Sequence, residues 1–130
     1  MNKQSIVRNL LVVAVSLAAV SAASAAPPVK AGTTAKGATL TDDKGMSLYT
    51  FDKDSGGKSA CNGPCATNWP VVKAEASDQP TGDYTTITRD DGSKQWAYKG
   101  KPLYTFAKDQ KAGDTAGDGF LNGAWHLAKP

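Results

Sequence analysis

The sequence predicts a mainly β fold, formed as a small antiparallel sheet, sandwich or open barrel from two tandem pseudo-repeats. The first observation is the repeat itself: Gly45–Asp54 recurs as Gly100–Asp109 with seven of ten positions identical at an offset of 55 residues. A unit that cannot bury its apolar face alone normally packs against its copy, so two equivalent halves should share one core. The second is that aromatic residues alternate within each copy, which is the period of a strand. The third is frequent glycine and proline, without any dozen-residue window of helical periodicity.

The start of the chain has the features of an export signal. Two basic residues precede an apolar run at residues 10–20, which is shorter than the roughly 20 apolar residues that a spanning helix needs. Small residues then place the expected cleavage between Ala25 and Ala26, so residues 1–25 are predicted to be a signal peptide. We therefore expect a periplasmic or secreted protein with no transmembrane segment in the mature chain.

The mature chain is predicted to form one domain. Residues 26–37 are rich in proline, glycine, alanine and threonine, and this composition predicts a flexible leader. A single β domain is expected over residues 38–130, with its two repeats at about residues 38–75 and 84–130.

Each repeat is expected to contain a hairpin. In the first, a strand at residues 39–41 and a strand from Ser47 flank the turn sequence Asp42-Asp-Lys-Gly45. In the second, strands at residues 85–89 and 94–98 flank an Asp-Asp-Gly turn.

The charge of the chain argues against nucleic acid as a partner. Two of the fifteen basic residues, Lys3 and Arg8, lie in the predicted signal peptide, so the formal charge falls from +3 to +1 on cleavage. The remaining basic residues are scattered among twelve acids, whereas a surface that neutralises several phosphates needs clustered lysine and arginine.

Two copies of the pattern Tyr-x-(Phe/Trp/Tyr)-x-x-Asp carry a family resemblance. They are Tyr49-Thr-Phe51-Asp-Lys-Asp54 and Tyr104-Thr-Phe106-Ala-Lys-Asp109. With these motifs, Cys61-Asn-Gly-Pro-Cys65, Asn68-Trp69-Pro70 and Gly123-Ala-Trp125-His126, the chain resembles the bacterial predicted lipoproteins called secreted repeat of unknown function. The likeness covers nearly all of the mature chain and implies an exported protein without an assigned activity. Unlike the lipoprotein members, this chain has no cysteine close behind the apolar run to accept a lipid.

The only two cysteines, Cys61 and Cys65, are predicted to form a disulfide, because they are an even pair in an exported chain. Closing so short a loop removes little entropy from the unfolded chain, so we expect a local role in fixing the loop that leads to Trp69. A redox role is the alternative, although the spacing is not the Cys-x-x-Cys of thioredoxin-like sites.

A metal site is the second alternative, and no cofactor is predicted as the default. Asp109, Asp114 and Asp118 lie in a glycine-rich stretch where carboxylates could hold calcium, and His126 is the single imidazole available to a transition metal. Aspartate beside glycine is also what ordinary turns require. Because His126 follows Trp125 on an expected strand, the two side chains should point to opposite faces.

The sequence contains no pattern typical of a catalytic site. Nucleophilic catalysis needs an oriented base, and no serine stands in a Gly-x-Ser-x-Gly turn. We expect the phenylalanine and tryptophan rings to be buried and the tyrosine hydroxyls to reach the rim of the core. The prediction is a non-enzymatic binding or structural module with an envelope or small-ligand partner. The alternative is a metal-binding or redox-active periplasmic protein that uses Cys61, Cys65, His126 or the Asp109–Asp118 loop.

Overall fold

The computed structural model describes residues 26–130, and the predicted signal peptide lies outside the described residues. Eight strands form small antiparallel sheets across these residues, which confirms the predicted mainly β fold. The strands are β1 (Lys30–Thr34), β2 (Gly37–Thr41), β3 (Tyr49–Phe51), β4 (Lys73–Ala74), β5 (Tyr84–Thr88), β6 (Lys94–Tyr98), β7 (Lys101–Pro102) and β8 (Trp125–Leu127). Two short helical turns, α1 (Pro64–Asn68) and α2 (Phe120–Gly123), lie just before Trp69 and Trp125, respectively.

A hairpin that the sequence did not predict precedes the two expected ones. Residues 30–34, expected to lie in a flexible leader, form β1 and pair antiparallel with β2. The prediction was wrong because Leu40, on β2, is buried in the core, and the backbone groups of a buried strand need partners that β1 supplies. The threonines in this segment suit a strand, and the Thr34 and Thr39 hydroxyls lie 3.2 Å apart in a buried hydrogen bond.

Both predicted hairpins are present. Strands β5 and β6 pair antiparallel, with Thr88 opposite Lys94, on either side of the Asp-Asp-Gly turn. Gly92 in this turn has a φ of 88°, a conformation that glycine adopts without steric cost. In the first half, an antiparallel bridge joins Thr41 and Ser47 across the predicted turn.

The two halves exchange strands. Strand β3 of the first half pairs with β8 of the second, placing Phe51 opposite Trp125, and β4 of the first half pairs with β6 of the second. At the centre, Tyr49 and Tyr104 pair through two backbone bonds of 2.8 and 3.0 Å. Each half therefore completes its sheet with a strand of the other half.

This exchange has pseudo-twofold symmetry. The N–H of Ala128 donates to the Leu48 carbonyl at 2.8 Å, and the equivalent bond runs from Val72 to Leu103 at 3.0 Å. Leu48 and Leu103 are both fully buried. The offset of 55 to 56 residues seen in the sequence is therefore an offset between equivalent places in the fold.

An aromatic stack lies at the junction of the halves. Trp69 and Trp125 are parallel with ring centroids 3.7 Å apart. Phe106 stacks on Trp69 at 4.1 Å, and Phe51 stacks on Trp125 at 4.2 Å. Since the rings alternate in origin between the halves, burying them ties one repeat to the other.

Candidate functional site

The motif tyrosine of the first repeat is held by the motif aspartate of the second. The Tyr49 hydroxyl donates to Asp109 Oδ2 at 2.6 Å, and it accepts the backbone N–H of Gly117 at 3.2 Å. The other oxygen of Asp109 accepts the N–H of Ala116 at 2.9 Å. Burial, followed by the hydrogen bond to Asp109, raises the pKa of Tyr49 well above its usual range, so the phenol stays protonated.

The reciprocal pair has the same geometry. The Tyr104 hydroxyl donates to Asp54 Oδ2 at 2.6 Å, and Asp54 Oδ1 accepts the N–H of Ala60 at 2.6 Å. The Ser59 hydroxyl adds a further bond of 2.6 Å to Tyr104. Burial is the main cause that raises the pKa of both Tyr104 and Asp54.

The two tyrosines and the two aspartates of the motifs therefore form two reciprocal hydrogen bonds between the repeats, which we call the motif locks. We had expected the tyrosine hydroxyls at the rim of the core, and this was wrong, since Tyr49 and Tyr104 are fully buried. A buried hydroxyl needs a partner, and the aspartate of the opposite repeat accepts the proton of each one. The motif's polar groups bond one another inside the protein, which is a structural arrangement.

A buried arginine adjoins one of the two locks. The Arg89 guanidinium is 7% exposed and donates to the Ser59 hydroxyl at 2.9 Å and to Gln95 Oε1 at 2.8 Å. It also donates to the Cys61 carbonyl oxygen and to Asn62 Oδ1. In the first repeat, Thr34 and Thr39 stand in the places of Arg89 and Gln95, so this charged network belongs to one half only.

The two cysteines form a disulfide in the loop that this arginine contacts through the Cys61 carbonyl. Cys61 and Cys65 are bonded to each other, and Cys61 is fully buried. The N–H of Trp69 donates to the Cys65 carbonyl at 2.8 Å at the end of α1, so the loop leads directly into the aromatic stack. This position agrees with a local, structural role.

The acids predicted to bind calcium have partners within the protein. Asp109 belongs to the motif lock, and Asp114 accepts the N–H of Gln110 at 2.8 Å, a bond that lowers the pKa of Asp114. Asp118 pairs with the Lys36 ammonium at 3.0 Å. Across residues 26–130, no three His, Cys, Asp or Glu side chains gather as a metal site would require. Binding of calcium or a transition metal stays a prediction.

His126, the fourth predicted metal ligand, forms an exposed pair with Asp52. Its Nε2 lies 2.7 Å from Asp52 Oδ2, across the strand pair β3–β8. The predicted alternation is confirmed, since Trp125 and Leu127 are buried on either side of the exposed His126.

A cleft of about 330 Å³ surrounds this pair. Three lysines line the cleft, Lys99, Lys101 and Lys129, while Asp52 is the one acid among the lining residues. The lining therefore has a net charge of +2 even with His126 neutral. Among the salt bridges of residues 26–130, none engages these three lysines. The Lys129 ammonium donates to the Lys36 carbonyl at 2.9 Å, a bond that leaves its positive charge unneutralised.

The comparison with protein families agrees with the two halves seen in the structure. A family model described as a secreted repeat of unknown function matches the chain twice, over residues 30–73 and 85–129. The chain belongs to this family of secreted repeats. Neither the curated proteins nor the solved structures gave a match. In the part of the chain that the structure describes, no helix combines the length and apolar character needed to cross a membrane.

The residues of the cleft can be compared with those at the equivalent place in the other half of this secreted repeat protein. Asp52 and His126 correspond in the other half to Ala107 and Pro70, which cannot form an ion pair. The backbone frame is nevertheless the same, because Asp52 and Ala107 both donate their N–H to the residue before the tryptophan, at 2.8 and 2.9 Å. The fold therefore forms at this place without the polar pair.

The lysines of the cleft follow a similar pattern. Lys99 and Lys129 have counterparts in Lys44 and Lys73, but Lys101 corresponds to Met46. Lys101 and the histidine therefore distinguish one half of the secreted repeat from the other, whereas the other two lysine positions are shared.

Sequence reasoning found His126 but missed the lysines around it and the pairing with Asp52. One signal was present in the repeat: Asp52 is replaced by Ala107 inside an otherwise nearly identical stretch. Nothing in the local pattern indicated that Lys129 lies beside Lys99 and Lys101, because it comes from a distant part of the chain.

Proposed function

We propose that this protein is an exported, non-enzymatic binding module of the periplasm or cell surface, and that its cleft binds a small anionic ligand. The observation that carries the proposal is the group of three lysines around the His126–Asp52 pair. Ligand sites are concave and contain a few convergent polar groups, and the volume of this cleft is within the range that such sites occupy.

The contrast between the halves supports a functional role for the cleft. The crossed motif locks and the aromatic stack are present twice and hold the fold together. The histidine, its aspartate and Lys101 occur once, at a place where the other half folds with proline, alanine and methionine. Residues that the fold does not need are the ones expected to serve binding.

The state of the buried polar groups supports the non-enzymatic part of this proposal. The two phenols are held protonated by burial, and their aspartates are hydrogen-bonded within the locks. Groups held in this way support the fold, whereas a catalytic group needs access to substrate and a pKa suited to proton transfer.

The test is a titration of the mature protein with inorganic phosphate, followed by amide chemical shifts. Phosphate should cause saturable shifts at residues lining the cleft. The variant Lys99→Ala/Lys101→Ala should weaken binding about tenfold, because removing each exposed cation costs up to about 1 kcal/mol.

The matched control is Lys44→Ala/Lys73→Ala, which removes two lysines from the equivalent face of the other half. It should leave phosphate binding unchanged. Equal losses in both variants would show unspecific attraction to positive charge and contradict the proposal, as would the absence of saturable shifts. If zinc, and not phosphate, shifted His126, the metal-binding alternative would replace it.

A further inference from the structure

A second concave surface adjoins the cationic cleft. It has a volume of about 480 Å³ and is lined mainly by apolar side chains. Val29, Tyr84 and Tyr98 are partly buried there and pack against the core cluster that contains Leu40. We call this surface the tyrosine groove.

The cleft and the tyrosine groove meet at one side chain. Tyr98 lines both of them, and its ring lies 5.0 Å from the ring of Tyr84 in the groove. The Lys99 ammonium lies 5.3 Å from the centre of the Tyr98 ring, so positive charge stands directly at the junction. Two consecutive residues also connect them, since Lys129 lines the cleft and Pro130 lines the groove.

The cleft and the tyrosine groove differ in charge. Asp83 is the one acid in the lining of the groove, whereas the cleft has three lysines and one aspartate. Because the groove is mainly apolar and the cleft lining has a net charge of +2, an anionic group favours the cleft and an apolar chain favours the groove.

We propose that the ligand is a single-chain amphiphilic anion, with its head among Lys99, Lys101 and Lys129 and its apolar chain along the tyrosine groove. This inference rests on the proposed function, because it extends the ligand of the same cleft. A carboxylate and a phosphate monoester share the chemistry required of the head. The groove adds apolar contact area that a free inorganic anion cannot use.

Calorimetry with the mature protein tests this inference, with every amphiphile kept below its micelle concentration. Dodecyl phosphate should bind about tenfold or more tightly than inorganic phosphate, since burying two methylene groups already supplies that ratio. Dodecanoate should show the same gain over acetate, and the tighter of the two amphiphiles identifies the preferred head. Dodecyl maltoside, which has an equal chain and a neutral head, should bind at least about tenfold more weakly than dodecyl phosphate.

A substitution in the groove separates chain binding from head binding. Ala31 is exposed on β1 and lines the groove, so Ala31→Glu should reduce dodecyl phosphate binding to the level of inorganic phosphate. Thr33→Glu is the matched control, because Thr33 is exposed two residues along the same strand and is not part of the groove lining.

Three outcomes would overturn the proposed amphiphilic ligand while leaving the anion site intact. The first is equal binding of dodecyl phosphate and inorganic phosphate, and the second is an equal loss in the two glutamate variants. Tight binding of dodecyl maltoside would also overturn it, because the head would then not be recognised. Failure of every anion to bind would refute the proposed function itself.

Discussion

Replacing Tyr49 by phenylalanine should destabilise the protein more than the same change at its pseudo-equivalent, Tyr104. Both hydroxyls donate to an aspartate of the opposite repeat at 2.6 Å, so the two bonds have equal length. Their surroundings differ. Asp109, the partner of Tyr49, is 7% exposed, whereas Asp54, the partner of Tyr104, is only half-buried.

The difference sets the expected magnitudes. A hydrogen bond to a charged group contributes about 1.5 to 3 kcal/mol, and a buried group left without its partner also loses its solvation. In Tyr49→Phe, the Oδ2 of Asp109 and the N–H of Gly117 both lose their partner, so we expect a loss of about 3 kcal/mol. In Tyr104→Phe, water reaches Asp54 and Ser59 keeps its bond from an arginine, so the loss should be about 1.5 kcal/mol.

The assay is urea-induced unfolding followed by circular dichroism, with both variants compared at the same pH. A double-mutant cycle with Tyr49→Phe and Asp109→Asn isolates the pair, and its coupling energy should exceed that of the Tyr104–Asp54 cycle. Equal losses, or a larger loss in Tyr104→Phe, would refute the argument that burial of the aspartate determines the strength of each lock. An unchanged slope of free energy against urea confirms that only the folded state has been altered.

Three further predictions concern the fold. Burial raises the pKa of both motif phenols, so above pH about 10 the folded state retains more protons than the unfolded state. The free energy of unfolding should therefore fall as the pH rises beyond that value. The fall should be less steep in the tyrosine-to-phenylalanine variants. In Gly117→Ala, the new Cβ would lie 2.6 Å from the stacked Trp69 ring, so we expect a loss of about 1 to 3 kcal/mol in thermal or urea unfolding, whereas Gly32→Ala, which meets a single threonine side chain, should cost less. Replacing Cys61 and Cys65 by alanine should cost about 2 kcal/mol in urea unfolding, the chain-entropy value for so short a loop, and complete loss of folding would contradict a local role.

The parts of the fold that could be predicted are those encoded by local patterns. Alternating Tyr and Phe residues give a strand because successive side chains point to opposite faces, and an Asp-Asp-Gly sequence gives a turn because glycine adopts a positive φ. The hairpin β5–β6, the exposure of His126 beside Trp125 and the disulfide were predicted in this way, and the structure has all three. Low-complexity composition misled the prediction for residues 30–34, because pairing with a buried strand outweighs a weak local preference.

The candidate site was harder to predict, for a geometric reason. Asp52 and His126 are separated by 74 residues in the chain, and the pairing of β3 with β8 brings them together. The same holds for the motif locks, whose tyrosines and aspartates are 60 and 50 residues apart. A motif shows which residues recur, but it does not show whether a tyrosine bonds the aspartate of its own repeat or that of the other repeat.

The sequence by itself determined that this protein has two β repeats, one pair of cysteines and membership in a family of secreted repeats. It also predicts an export signal. The tertiary structure decided that the repeats exchange strands, that each motif tyrosine bonds the aspartate of the other repeat, and that Lys99, Lys101 and Lys129 gather around the His126–Asp52 pair. The physical reason is that strand and turn preferences depend on near neighbours in the chain, whereas buried hydrogen bonds and charged clefts depend on contacts that only chain folding creates.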